Sequence, residues 1–97
     1  MRRSWRISGR LVPASARLHS RSVRLPRGAC VTWHSTGTRE ELLIAVAGAV
    51  IVEWRRGAGR LRRVTLRAGQ ALFVPSRTAH HVRHAGVRAA RYMYVTG

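Results

Sequence analysis

The sequence has no lysine, aspartate or asparagine, and only three acidic residues, Glu40, Glu41 and Glu53, stand against 19 arginines in 97 residues. The resulting charge of +16 runs from end to end, which fits a compositional bias better than a dedicated polyanion-binding tract. Cysteine is almost absent. A single Cys30 excludes an intrachain disulfide, so the fold does not rest on staples and a reducing cytoplasm is the expected compartment. Long apolar runs are also missing: the longest uncharged stretch, Leu42 to Val52, includes Gly48 and falls far short of the roughly 20 residues of a membrane span. No apolar segment follows Arg2 and Arg3, so no secretory signal is expected, whereas the acid-free, Arg- and Ser-rich stretch from Met1 to Pro26 leaves a transit peptide open. Aromatics are scarce at 6%, and no helix-turn-helix, zinc-finger or RNA-recognition pattern is visible. Nucleic acid is therefore the alternative partner, resting only on the arginines clustered from Arg55 to Arg63, since phosphate contacts need no motif.

What is present is a chain 45% apolar, too hydrophobic for a disordered polycation and of the length of one domain. Residues 1 to 21 read as a basic arm with one short strand, and residues 22 to 97 as the domain. From Ser22 onward, short apolar runs are punctuated by glycine and proline, the pattern of strands rather than helices. Val23 and Leu25 alternate with Arg24, and Ala29, Val31 and Trp33 with Cys30, Thr32 and His34. Leu42 to Val52 reads as two strands around a tight turn at Gly48, because β-branched Ile44, Val46, Val50, Ile51 and Val52 disfavour the competing helix. Further strands are expected around Val64 and Leu66, over Ala71 to Val74, over His80 to Arg83 and over Arg88 to Val95. About eight short strands with turns every 8 to 12 residues predict an all-β sandwich or small barrel.

Chemistry concentrates in the histidines and glutamates. His34 ends one strand, Glu40 and Glu41 open the next, and His80, His81 and His84 follow together. Two histidines and a carboxylate on neighbouring strands can hold a divalent ion and leave positions open for a ligand. Alternation puts His80, Val82 and His84 on one strand face and His81 and Arg83 on the other. A straight strand separates His80 from His84 by about 13 Å, so at most one of them can be a ligand. By the same alternation Cys30 shares the His34 face and is expected to be a small buried hydrophobe, with Trp33 opposite.

These residues resemble the cupin family. The first cupin motif, a glycine, a His-x-His pair, a glutamate and a glycine, is matched by Gly28, His34, Glu41 and Gly48; the second by Gly69, Pro75 and His80. Thr36 stands where the motif has its second histidine, Arg77 where it has glycine and His84 where it has asparagine. The resemblance implies a small double-stranded β-helix, or jelly-roll barrel, with His34, Glu41 and His80 as ligands of a divalent transition metal: Fe, Mn, Ni, Zn or Cu. It also implies a small molecule bound in the barrel and a homodimer.

Thr36, Arg77 and His84 are candidates for contact with the substrate or the ligands, and Arg77 is the arginine expected near the mouth. Because Glu41, Leu43, Ala45 and Ala47 alternate onto one face, ligand volume is expected beside the small residues. An enzyme, a ligand sensor and a degenerate dimerisation module are all compatible with this reading.

Overall fold

The computed structural model describes residues 17–97. The expected basic arm with its short strand and the transit-peptide reading lie outside the described residues, apart from their last few positions. There, β1 (His19–Leu25) begins at His19, so the end of the expected arm is strand.

Seven strands follow: β2 (Cys30–Ser35), β3 (Glu41–Ala47), β4 (Ala49–Arg56), β5 (Arg62–Arg67), β6 (Ala71–Val74), β7 (Thr78–Ala85) and β8 (Ala90–Thr96). Among the described residues no helix occurs, so none there is long and apolar enough to cross a membrane. All pairings are antiparallel, in two four-stranded sheets ordered β1-β8-β3-β6 and β2-β7-β4-β5, so the chain is all-β as the strand pattern predicts, in the jelly-roll form that the resemblance implies.

β3 and β4 do not pair with each other. The turn at Gly48 carries the chain from one sheet into the other, and it requires glycine twice over. Its φ is 65°, and a Cβ there would sit 3.0 Å from the Ala89 carbonyl oxygen. This corner explains why Leu42 to Val52 is apolar on both strand faces. Inward residues Leu43, Ala45, Val50 and Val52 build the core, while Leu42 and Val46 lie on the outside, 38% and 41% exposed.

The core runs between the sheets and is completed by Leu25, Leu66, Val74, Val82, Ala90 and Tyr92. Val52 and Val74 are fully excluded from solvent. The two outer faces differ sharply. Across β3 and β6 the outside is Leu42, Ile44, Val46, Ala71 and Phe73, without a charge; across β7, β4 and β5 it carries Arg83, Arg55, Arg63 and Arg67 around Glu53.

Candidate metal centre

The site depends on a local irregularity in β2. Val31 pairs with Val82 and His34 with His80, so two residues, Thr32 and Trp33, oppose the single His81. This β-bulge shifts the in–out alternation by one position. Val31 and His34 consequently both line the barrel interior, whereas regular pairing would have turned His34 outward. The reading of Cys30 as a buried neighbour on the His34 face is corrected by the same bulge: Cys30 pairs with Arg83 on the outer face and is exposed. Trp33 lies outside and stacks on His81, with ring centroids 5.0 Å apart and planes at 10°. His81 Nδ1 in turn sits 3.6 Å from the Glu53 carboxylate, an ion-pair distance for a protonated imidazole but too long for a hydrogen bond.

Inside the barrel, β2, β3 and β7 bring together one side chain each. Donor atoms of His34, Glu41 and His80 all lie within 4.8 Å of one another. The imidazole rings of His34 and His80 face each other across the strand pair, with centroids 4.1 Å apart. Both rings are held by the same device. The His34 Nδ1–H donates to the Thr32 carbonyl at 2.9 Å and the His80 Nδ1–H to the Thr78 carbonyl at 3.2 Å, two residues back in each strand. With both Nδ1 atoms engaged, the lone pairs left for an ion are those of Nε2, and backbone carbonyls orient the rings as they orient ligating histidines generally.

His80 is fully buried and Glu41 is 6% exposed. His80 Nε2 and Glu41 Oε2 approach to 2.7 Å, yet they lack the alignment of a hydrogen bond and neither has another partner. Two buried polar atoms that meet only each other, without hydrogen-bond alignment, are costly unless the imidazole is protonated against the carboxylate or a cation lies between them. A divalent cation meets that requirement, since neutral imidazole and carboxylate are suitable donors. In the metal-free form burial lowers the His80 pKa. Contact with the Glu41 carboxylate and the hydrogen bond to Thr78 outweigh it and leave the pKa raised.

The donors open onto a cavity of about 370 Å³. Val23, Val31, Leu43 and Val82 form its apolar wall; Thr36, Arg39, Tyr92, Tyr94 and Thr96 supply its polar groups. Ligand volume therefore lies at the Glu41 end of β3. The expectation of volume beside Ala45 and Ala47 is corrected, because Ala45 is packed into the core and Ala47 is exposed. Tyr92 is buried, and its pKa is raised first by burial and then by the charges of Glu41 and Tyr94. Its phenol thus stays protonated and can donate a hydrogen bond into the cavity.

The other expected site residues have different placements. Thr36 lines the cavity, but its hydroxyl donates to the Pro75 carbonyl at 2.8 Å and accepts from the Thr78 N–H at 3.1 Å. Together with Thr36 N–H to the Thr78 carbonyl and Arg77 N–H to the Gly37 carbonyl at 2.7 Å, these bonds stitch the two mouth loops together. Arg77 is exposed and outside the cavity lining, and it adopts a left-handed backbone with φ 53° where the resembled motif has glycine. His84 lies at the opposite end of β7. Its Nε2–H donates to the Arg88 carbonyl and its Nδ1 accepts from the Gly28 N–H at 3.3 Å, which occupies both ring nitrogens.

Sequence reasoning missed Arg39 and the tyrosines. Arg39 is two positions before Glu41 and so on its side of the strand direction, while Tyr92 and Tyr94 alternate opposite Ala45 and Leu43. That alternation was the available clue.

Comparison with known proteins agrees with this architecture. The Cupin domain family matches residues 21–96. No curated protein matches the sequence. Among solved structures, TT1209 from Thermus thermophilus superposes with a TM-score of 0.76 at 25% identity, over 91% of this chain and 78% of that one. A predicted oxalate decarboxylase from Thermotoga maritima superposes with 0.70 at 20% identity, over 80% and 64%. The Drosophila melanogaster CENP-C cupin domain gives 0.74 at 17% identity, over 84% of this chain and 57% of that one, so the chain spans little more than half of that structure.

Proposed function

The chain belongs to the cupin family, and from that premise we propose that it holds one divalent transition-metal ion through His34, Glu41 and His80 and presents it to a small anionic molecule in the barrel. The observation that carries this reading is the convergence of three donors within 4.8 Å, two of them buried and without a hydrogen-bond partner. Bound there, an ion of the Fe, Mn, Ni, Zn or Cu series supplies Lewis-acid polarisation of a coordinated oxygen. The chain's own contribution is to orient both imidazoles through Thr32 and Thr78, to keep a protonated Tyr92 phenol beside the ligand, and to surround it with an apolar wall. Thr36 leaves the set at three protein ligands, which keeps positions open for the small molecule.

The test is the metal content of protein purified without a histidine tag, for wild type and His80→Ala. Wild type is expected near one ion per chain and the variant near none; equal, near-zero occupancy in both sinks the reading.

A second reading, a barrel used for protein association, is favoured by the uncharged outer face of β3 and β6, where Phe73 is 55% exposed. In a chain of charge +16, this face is where a second copy meets least repulsion. A homodimer through that face is compatible with metal binding inside the barrel, and sizing chromatography of Phe73→Glu against wild type tests it. An exposed Cys30 thiol suits the reducing cytoplasm.

A further inference from the structure

The extra residue of β2 is dictated by the ends of the strand, but its position is not. At one end the His84 N–H donates to the Ala29 carbonyl at 2.9 Å, and at the other the Thr36 N–H donates to the Thr78 carbonyl at 3.1 Å. Between these fixed pairs β2 runs seven residue steps, Ala29 to Thr36, against six on β7, Thr78 to His84, so one residue must bulge. Among the described residues β2 lies at the edge of its sheet, paired with β7 alone, and no second strand helps to place the bulge.

Two positions for it have opposite consequences. Where it stands, at Thr32 and Trp33, His34 faces the other donors and Trp33 faces solvent, 49% exposed. Moved past His34 to Ser35, it would let the regular pairing continue from Val31 and Val82, turning His34 outward and the Trp33 indole inward, opposite His80. Burial of the indole against Val31, Leu43 and Val82 favours that second arrangement. Two contacts oppose it. Inside, the His34 Nδ1–H closes on the Thr32 carbonyl across the bulge. Outside, the indole stacks on His81 at 5.0 Å, close to the spacing of neighbouring strands. His81 is backed in turn by Glu53 on β4, whose Oε1 also lies 3.7 Å from Arg83 Nε.

We infer that the Trp33–His81 stack on the outer face fixes the position of the β2 bulge and thereby holds His34 at the metal. His81 is a positioning residue: it lines no part of the cavity and acts through Trp33 on His34. The consequence for the ion rests on the metal-binding reading above, whereas the register itself is a property of the metal-free chain.

The test uses the full chain with His81→Ala, which removes the platform and keeps the indole, and His81→Phe, which keeps an aromatic platform without the imidazole. Visible absorption of bound Co(II) reads the site, and nuclear Overhauser contacts of the Trp33 indole, recorded with a chelator present, read the register without metal. In His81→Ala, Co(II) affinity falls about three- to tenfold, the worth of one aromatic pair, and indole contacts to the Val82 methyls appear. The absorption spectrum at saturation is unchanged, because the ion binds only the bulged form. In His81→Phe the affinity returns to within about twofold of wild type and the contacts to Val82 disappear. Equal affinity in wild type and His81→Ala overturns the lock, as does His81→Phe performing no better than His81→Ala. Absence of indole contacts to His81 in metal-free wild type overturns it too, and decides the matter even where His81→Ala fails to fold. Failure of wild type to take up Co(II) is a different result: it overturns the metal reading and leaves the register to be judged by the Overhauser contacts.

Discussion

Replacing His84 separates a structural role from a role at the proposed metal site. The imidazole connects the loop before β2 to the loop before β8, accepting from the Gly28 N–H and donating to the Arg88 carbonyl. His84→Leu keeps similar bulk but strands both backbone groups, each costing about 1 to 3 kcal/mol when left unsatisfied. Because the site is only part-buried, water recovers some of this, and a total of about 2 to 4 kcal/mol is expected. Against a domain stability of about 5 to 15 kcal/mol that is a large loss, and at about 4 to 8 °C per kcal/mol it lowers Tm by about 8 to 30 °C. His84→Asn supplies one acceptor and one donor again, on a shorter arm, and should restore about half. Thermal and urea melts followed by circular dichroism, with a chelator present so that ion binding does not contribute, measure both values. The reasoning is refuted if His84→Leu melts with wild type, or if Asn is no better than Leu. A fall in metal affinity at unchanged stability would refute it differently, by placing His84 at the ion.

Three further outcomes are expected. Arg77→Gly relieves a left-handed residue that carries a Cβ, and equilibrium urea unfolding should show a gain of about 0.5 to 1 kcal/mol even after the added flexibility of the unfolded chain. Gly48→Ala meets both an unfavourable φ and the Ala89 carbonyl oxygen at 3.0 Å, so the same measurement should show a loss of about 2 kcal/mol or more. Thr36→Val removes the hydroxyl that bridges Pro75 and Thr78; a loss of about 1 to 3 kcal/mol is expected, with faster exchange of the Thr78 amide in hydrogen-exchange experiments.

Much of the fold was legible because its determinants are local. Alternation, β-branched runs and glycine or proline breaks mark strands wherever they occur, and Ala71–Val74 is found where the sequence places it. The spacing of His34, Glu41 and His80 was enough to suggest a shared site, since motif spacing encodes which strand ends meet. The β2 bulge was not legible. Nothing in Cys30 to Ser35 announces an extra residue; it arises from the pairing with β7, and it reverses the inside and outside of half the strand. Cys30 was misplaced for that reason. Arg77 and Arg39 could not be told apart as mouth residues either, because which loop leans over the cavity is decided by hydrogen bonds between segments some forty positions apart. His84 and Thr36 read as chemical candidates because their types are chemical, whereas their atoms are consumed in holding backbone.

The stitching of the two mouth loops also bears on time. Four hydrogen bonds join Thr36 and Gly37 to Pro75, Arg77 and Thr78, so these two loops at the cavity mouth are tied to each other rather than hinged apart. A ligand passing such a tied mouth is expected to enter at a rate set by its encounter frequency and by the shedding of its hydration water. Stopped-flow traces should accordingly be single exponentials whose rate rises linearly with concentration, without the plateau that a slow opening step imposes.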